Sequence, residues 1–385
     1  MKHQVAVVGG GVVGAALALA LHRAGIDTAL IERGAAPKPY DASDYDLRVY
    51  ALSPASTRFL NELGVWPKIA QQRASAYQGM RIWDERPGEA LQFEASALGV
   101  AQLGHIVENS LLLDELWKAL APVTTYTKVQ ITGLQIDDDA ARLQLDDGRE
   151  ISASLVIAAD GADSQLRDWA GIECVRWAYP QEAVVCHVET ELPHRGIARQ
   201  RFLPGGPLAF LPLTDGRSSI VWSAQDAEDL LALDEDEFRA RLALALQNEL
   251  GAITGCTRRV AFPLRLLHAQ DYALPRFALA GDAAHVVHPL AGQGVNLGLA
   301  DAVVMVRELS IAHEAGRDLG SLRLLKRYER ERKADNLDML AVTDGLNRAF
   351  GLRTDSWDSL RNLGISAVNR MTPLKNLLMR RAVGQ

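Results

Sequence analysis

The chain has 385 residues, more than one ordinary hydrophobic core accommodates, so two intimately joined domains are expected. Its 48% hydrophobic and 23% charged content is that of a soluble globular protein, and a net charge of −7 argues against a general nucleic-acid binder. Three scattered cysteines, Cys174, Cys186 and Cys256, show no C-x-x-C spacing; they suggest neither a disulfide framework nor a zinc site and suit a reducing cytoplasm.

The chain opens on Val5-Ala6-Val7-Val8-Gly9-Gly10-Gly11-Val12-Val13-Gly14, then Ala15 to Arg23, then Thr28-Ala29-Leu30-Ile31-Glu32-Arg33. This reads as a buried strand, a glycine turn, a helix and a second strand ending in an acid. Gly9, Gly11 and Gly14 fill the positions of G-x-G-x-x-G: a tight turn, a close approach of backbone to pyrophosphate, and a helix lying close on the sheet. Phosphates would meet unpaired N–H groups at the positive end of the helix dipole. Glu32 follows Gly11 by 21 residues, where a carboxylate receives ribose hydroxyls. A membrane helix or signal peptide is the competing reading of residues 5–21, which contain only Ala, Val, Gly and Leu. The glycine cluster and the stop at His22-Arg23-Ala24-Gly25, followed by another strand, weigh against it.

Residues 34–46 are a polar loop, followed by an apolar run through Ser53 and a helix from about Pro54 to Leu63 with Gly64 as its stop. Arg48 stands between loop and strand, open to two readings: a cation facing a ligand, or a surface partner of nearby aspartates. Short strands are expected at 80–83 and 90–93, an amphipathic helix at 110–121, and alternating runs at 127–136 and 142–147. The strand Ser154 to Ala159 ends at Asp160-Gly161, which is either a second nucleotide contact or an ordinary turn.

From 181 to 224 the hydrophobic period switches to two, with strands near 183–190, 198–203, 207–213 and 218–223 and a helix over about 234–250. Leu208 to Leu213, with Val221 and Trp222, could line an apolar pocket or fill a core. The strand Arg276 to Ala280 ends at Gly281-Asp282, and a helix follows from about Gly294 to Gly316. No metal site is expected, because His285 and His288 lack a third ligand. Residues 323–335 form a charged helix, and 361–385 a basic amphipathic tail that either meets an anionic membrane or partner, or caps the core.

The three motifs Gly9-x-Gly11-x-x-Gly14 with Glu32, Asp160-Gly161 and Gly281-Asp282 resemble those of single-component FAD-dependent aromatic hydroxylases of the para-hydroxybenzoate hydroxylase type, the class A flavoprotein monooxygenases. Within that group Leu47 to Ser53, Leu103 to Asn109, Ala209 to Leu213 and the run Gly281 through Leu299 resemble the ubiquinone-biosynthesis (polyprenylphenol) hydroxylases. The resemblance implies an α/β fold: a Rossmann-like FAD-binding domain (1–75, 101–176 and 268–345) interleaved with an antiparallel-sheet substrate domain (76–100 and 177–267), and a C-terminal helical basic tail (346–385). It implies FAD as cofactor, NAD(P)H as co-substrate, and O2-dependent hydroxylation of a polyprenylated phenol through a C4a-hydroperoxyflavin. The C5 type is favoured on Ala74 to Tyr77 and Gly104 to Asn109, and the C6 type is next.

The same resemblance places FAD pyrophosphate on Gly9, Gly11, Val13 and Gly14, with Glu32 and Arg33 at the adenosine and Val129 among the cofactor-binding residues. Arg48, Asn109, Asp160 and Asp282 fall where family members contact the cofactor, and Gly292, Gly294, Val295 and Asn296 at the flavin pyrimidine edge. Pro289, Gly292, Gln293 and Gly294 are the implied catalytic set, shaping the pocket and stabilising charge on the reduced ring. His187, Tyr179 and Tyr77 are alternative bases for the phenol. A cytoplasmic protein is expected, peripheral at the inner membrane face through its tail, in contact with a ubiquinone-biosynthesis assembly and not with nucleic acid. The rival functions are an isoprenoid or quinone reductase without oxygenation, and a non-catalytic flavin-binding accessory protein.

Overall fold

The protein was analysed as a computed structural model, which describes residues 1–84, 90–287 and 293–351, the side chains of 293 and 340–351 excepted. In chain order, β1 (Lys2–Val8), α1 (Val12–Arg23) and β2 (Thr28–Glu32) come first. Next are β3 (Val49–Leu52), α2 (Pro54–Glu62), α3 (Trp66–Arg73), β4 (Ala74–Tyr77), β5 (Gly79–Asp84), β6 (Leu91–Glu94), β7 (Gly104–Glu108) and α4 (Asn109–Ala119). They are followed by β8 (Thr124–Thr127), β9 (Ile131–Ile136), β10 (Ala141–Leu145), β11 (Glu150–Ala158) and α5 (Gln165–Trp169). The middle of the chain forms β12 (Cys174–Thr190), β13 (Ile197–Leu203), β14 (Gly206–Pro212), β15 (Ser218–Ala224), α6 (Ala227–Ala232) and α7 (Glu235–Ala245). Last come β16 (Ile253–Cys256), β17 (Val260–Ala269), β18 (Ala273–Leu274), β19 (Phe277–Leu279), β20 (His285–Val286), α8 (Gln293–Glu314) and α9 (Leu322–Gly351).

Three sheets organise these elements. The first runs β18-β19-β11-β1-β2-β8, with β10 and β9 attached to β11. Its centre is parallel, β19 to β11 to β1 to β2 to β8. Such a sheet is covered on both faces, which is why Val5 to Val7 and Leu155 to Ala158 are continuous apolar runs with no exposure. Nine of the twelve residues of α1 are buried, so this helix is apolar all round and lies inside the layer. The carboxyl ends of β1, β11 and β19 are neighbours, so the Gly9, Asp160 and Gly281 turns converge on one edge. Ligands bind at that edge in open α/β sheets.

The second sheet is mostly antiparallel, β20-β17-β12-β15-β14-β13-β5-β6 with β16 on β12, and α7 packs on it through Phe238 and Leu242. The third is small, β3-β7-β4. β12 begins at Cys174 and bends at a register break between Ala178 and Glu182, so the alternating pattern read from 183 captures only its second half. The run read at 127–136 is two strands, parted by Lys128 at φ +57°, a left-handed residue that a ladder does not accept. The helix read over 234–250 stops at Ala245, with Gln247 and Asn248 at φ +60° and +52°. No described helix is long and apolar enough to cross a membrane.

Candidate active site

Two of the three motif glycines are held by backbone contacts. A Cβ on Gly9, at φ +106°, would lie 2.3 Å from the Ala159 carbonyl oxygen, and one on Gly14 would lie 1.9 Å from the Gly9 carbonyl oxygen. Gly11 differs: its backbone is extended, it caps α1, and a Cβ there would meet nothing within 4 Å. The space in front of α1 is therefore open, and its first turn carries no acidic side chain. That is the geometry that accepts a phosphate anion. Val13 is a wedge between three segments: Cβ atoms on Gly281 and Gly298 would meet its methyls at 3.2 and 2.5 Å. Gly298, on α8, is therefore needed for close packing.

Glu32 braces the glycine turn. Its carboxylate accepts the N–H of Gly10 at 2.6 Å and of Gly34 at 2.6 Å, while Trp117 Nε1 donates to the Gly10 carbonyl at 2.8 Å. A carboxylate accepts about four hydrogen bonds, so capacity for ribose hydroxyls remains. Arg33 is exposed beside it. Val129 is buried in the core, and its neighbour Lys128 donates its N–H to the Gly34 carbonyl at 2.8 Å, tying this loop to the end of β2.

At the far end of the edge, Arg48 lies over the Tyr50 ring at 5.4 Å, and the Tyr50 hydroxyl donates to Asn109 Oδ1 at 3.0 Å. The Asn109 N–H donates to the Arg48 carbonyl at 2.9 Å, so the two are joined twice. Asp282 is solvent-exposed yet closely surrounded by protein, as on the wall of a cleft; that crowding raises its carboxyl, against the pull of His285 and Arg48. Asp160 Oδ1 is buried without a hydrogen-bond partner among the described residues, and burial raises this carboxyl too. An orphaned buried oxygen on the residue that packs against Gly9 fits a ligand rich in hydroxyl and N–H groups.

At the start of α8 a Cβ on Gly294 would meet no atom of the described residues within 4 Å. Val295 is buried in the core. The Asn296 side chain is engaged within the protein: Oδ1 accepts from Ser53 N–H at 2.9 Å and Ser56 Oγ at 2.7 Å, and Nδ2 donates to the Ala51 carbonyl at 2.8 Å. It pins α8 to the β3–α2 turn. Pro289 and Gly292 lie outside the described residues, as do the side chain of Gln293 and the tail at 352–385.

Ala51 also belongs to a nearly filled apolar crevice of about 10 Å³ between the small sheet and the large one, lined by Tyr77, Met80, Ala198, Arg199, Gln200, Ala209 and Leu211. Of the three candidate bases only Tyr77 lines it. Burial alone pushes the Tyr77 hydroxyl up to about 12, so it stays protonated at neutral pH. His187 is buried, with Nε2 on the Asp46 carbonyl at 3.1 Å. Tyr179 packs with Leu47, Ala183, Val185 and Leu264.

Sequence reading gave no role to the buried charges under Gly281. Asp301, fully buried, accepts from His285 Nε2 at 2.6 Å, Arg332 Nε at 2.8 Å and the Gly281 N–H at 2.9 Å. Burial alone would raise its carboxyl; His285 and Arg332 outweigh that and hold it below the ordinary value. Asp301 thus carries a fixed negative charge that positions the Gly281-Asp282 turn. Asp301 lies about two turns into α8 and His285 on β20, so no helical or strand period in the sequence marked the pair. Among the described residues no group of three or more His, Cys, Asp or Glu is placed to hold a metal ion.

Residues 2–343 match the FAD binding domain family. The chain is 39% identical over 385 residues to ubiquinone hydroxylase UbiL of Rhodospirillum rubrum, covering 99% of this chain and 89% of that protein. It is 38% identical to 3-demethoxyubiquinol 3-hydroxylase of Escherichia coli, covering 99% and 98%. Pseudomonas aeruginosa PqsL, solved with 2-aminobenzoylacetate, has the same fold at a TM-score of 0.80 and 24% identity, covering 95% of this chain and 100% of that one. The p-nitrophenol 4-monooxygenase PnpA of Pseudomonas putida also shares the fold, at 0.79 and 20% identity, covering 99% and 98%. With its glycine turns, orphaned Asp160 and open helix starts arranged along one sheet edge, the chain belongs to the FAD binding domain family and, within it, to the ubiquinone-biosynthesis hydroxylases among the class A flavin monooxygenases.

Proposed function

We propose that this protein is an FAD-dependent monooxygenase that uses NAD(P)H and O2 to hydroxylate a polyprenylated phenol on the route to ubiquinone. The C5 position is favoured and C6 is the second reading. One observation carries this: the apolar cleft and the start of α8 share Ala51, whose side chain lines the cleft while its carbonyl is held by Asn296. The apolar residues around Ala51 therefore adjoin the start of α8; the free space between them is about 10 Å³, that of one water, so a substrate ring enters by parting them.

Bound along the sheet edge, FAD supplies hydride acceptance from NAD(P)H and the activation of O2 for transfer of one oxygen atom to the ring. The amides before α1, together with Glu32, hold its nucleotide end. Arg48, Asn109, Asp160 and Asp282 flank its middle. The backbone N–H groups around Gly294 stabilise negative charge at its ring by the same logic as an oxyanion hole. Met80, Ala198, Ala209 and Leu211 exclude water from the substrate ring. The Tyr77 O–H donates to the ring oxygen, stabilising it as that oxygen gains negative character, and keeps its own proton throughout.

A polyprenyl chain partitions into bilayers, so the protein meets its substrate at a membrane surface or on a carrier within a biosynthetic assembly. Incubation with NAD(P)H, a prenylated phenol and 18O2 tests the reading. A labelled hydroxyl on the ring is expected, and its position separates C5 from C6. A reduced, unlabelled product would replace the proposal with a reductase, and flavin binding without turnover would replace it with an accessory role.

A further inference from the structure

Two of the three cysteines, far apart in sequence, meet on the large sheet. β12 and β16 are antiparallel with Val188 opposite Cys256, so Cys186, two residues along β12, lies on the same face and diagonally beside it. Both sulfurs pack into the apolar cluster of Phe238 and Leu242, Cys186 buried and Cys256 partly exposed. Both are free thiols, and the Cys256 S–H donates to the Thr257 carbonyl at 3.1 Å, a bond it gives up on ionising. β16 is a four-residue strand paired only to β12 among the described elements, with a register irregularity at Glu189/Thr190.

We propose that Cys186 and Cys256 are a reversible dithiol–disulfide pair oxidised by hydrogen peroxide. The Cys256 thiolate attacks one peroxide oxygen; the O–O bond breaks, hydroxide leaves, and an S–OH group forms. Cys186 gives its proton to that hydroxide, and its sulfur attacks the Cys256 sulfur. The S–S bond forms, the S–O bond breaks, and the departing hydroxide takes up the proton lost by Cys256. Two thiols and one peroxide become one disulfide and two waters, with two electrons passing from sulfur to oxygen.

The environment assigns the two roles. A hydrogen bond from Cys186, helped by Arg259 and Arg239, lowers the Cys256 thiol against its partial burial, while the same bond and burial raise Cys186. The attacking sulfur is therefore the exposed one and the resolving sulfur the buried one. An S–S bond is about 2.05 Å, shorter than any contact between two thiols, so oxidation draws β16 against β12. Thr257 follows Cys256 directly. Its Oγ1 accepts the His187 N–H at 2.9 Å and its N–H donates to the His187 carbonyl at 2.9 Å, while His187 Nε2 meets the Asp46 carbonyl at 3.1 Å. Asp46 in turn accepts the Arg48 N–H at 3.0 Å and the Ser110 N–H at 3.0 Å. Strand movement thus reaches the loop that carries Arg48. The pairing of the thiols does not depend on the catalytic reading above.

Full-length reduced protein is treated with equimolar hydrogen peroxide, alkylated and mapped by peptide mass. The expected result is a peptide joining Cys186 to Cys256, lost on reduction with dithiothreitol, and formed on the order of tenfold faster than any oxidation of Cys174, a thiol that burial raises. Cys256→Ser abolishes the link and leaves Cys186 alkylatable under denaturant. Full alkylation of Cys256 after peroxide, sulfinic acid at Cys256 with no link, or a link to Cys174 would each overturn the pairing. The wild-type measurement decides the matter even if a variant fails to fold.

Discussion

Asn296 and Ala51 stand 245 positions apart in sequence, and one hydrogen bond of 2.8 Å between them joins the start of α8 to the wall of the apolar cleft. The same side chain accepts from Ser53 and Ser56. Asn296→Ala strands the partly buried Ser53 N–H and Ala51 carbonyl, a loss of about 1–3 kcal/mol. The expected outcome is a lower melting temperature together with a reduced ratio of flavin to protein absorbance. Full flavin retention at wild-type stability would show that the link does not position this helix.

Gly11 and Gly14 separate a ligand requirement from a packing requirement. Gly14→Ala puts a Cβ 1.9 Å from the Gly9 carbonyl oxygen, a backbone clash that no rotamer relieves. It is expected to yield colourless, destabilised protein, with a loss on the order of 3 kcal/mol or more. Gly11→Ala meets no protein atom within 4 Å, so unfolding free energy should change by less than about 1 kcal/mol. Its dissociation constant for FAD should rise on the order of tenfold, because the added methyl occupies the phosphate space. Denaturant melts and fluorescence titration of the apoprotein check the pair; equal affinity in Gly11→Ala would exclude pyrophosphate from this turn.

Tyr77→Phe removes a donor from the cleft and leaves its shape. With the hydroxyl held up to about 12, the wild-type rate should show no ionisation assignable to Tyr77 near neutral pH. The variant should fold normally and lose about ten- to hundredfold in kcat/KM, the value of a hydrogen bond to a charged oxygen. Unchanged kcat/KM would remove Tyr77 from the site.

His268 makes stability depend on pH. Its ring is buried beside Tyr272 at 5.6 Å, with Nε2 unpartnered among the described residues; burial first, then Lys333 and His285, lowers it to about 4. Between that value and about 6.5 the unfolded chain binds a proton that the folded chain does not, so stability falls as pH falls through this window. The expected loss is on the order of 2–3 kcal/mol between pH 7 and pH 4. Denaturation midpoints across that range should show it, and His268→Gln should flatten the slope. A slope unchanged in that variant would assign the effect to another group.

How much of this could be read from the chain follows from the range of the interactions. Gly9 and Gly281 adopt φ +106° and +62°, a local backbone demand visible in the letters themselves. The apolar run of β1 is equally local, as are the Pro54 start of α2 and the Gly316 stop of α8, whereas β13 to β15 are buried almost throughout and do not alternate. Such features identify a dinucleotide-type fold and the elements that face its ligand. Left-handed Lys128, Gln247 and Asn248 ended elements earlier than hydrophobic pattern predicts, because no side-chain period announces a single positive φ.

Sequence alone therefore determined the fold class and the glycine turns, because backbone conformation and hydrophobic period are set by neighbouring residues, and the family followed from the resemblance of its motifs. Only tertiary structure decided that Asn296 spends its side chain on Ala51, Ser53 and Ser56, that Asp301 is hydrogen-bonded by His285 and Arg332, and that Cys186 meets Cys256. Each of those pairings depends on strand register or on where one helix crosses another. Register and crossing come from the packing of the whole core, and a one-residue slip would turn every one of those side chains elsewhere.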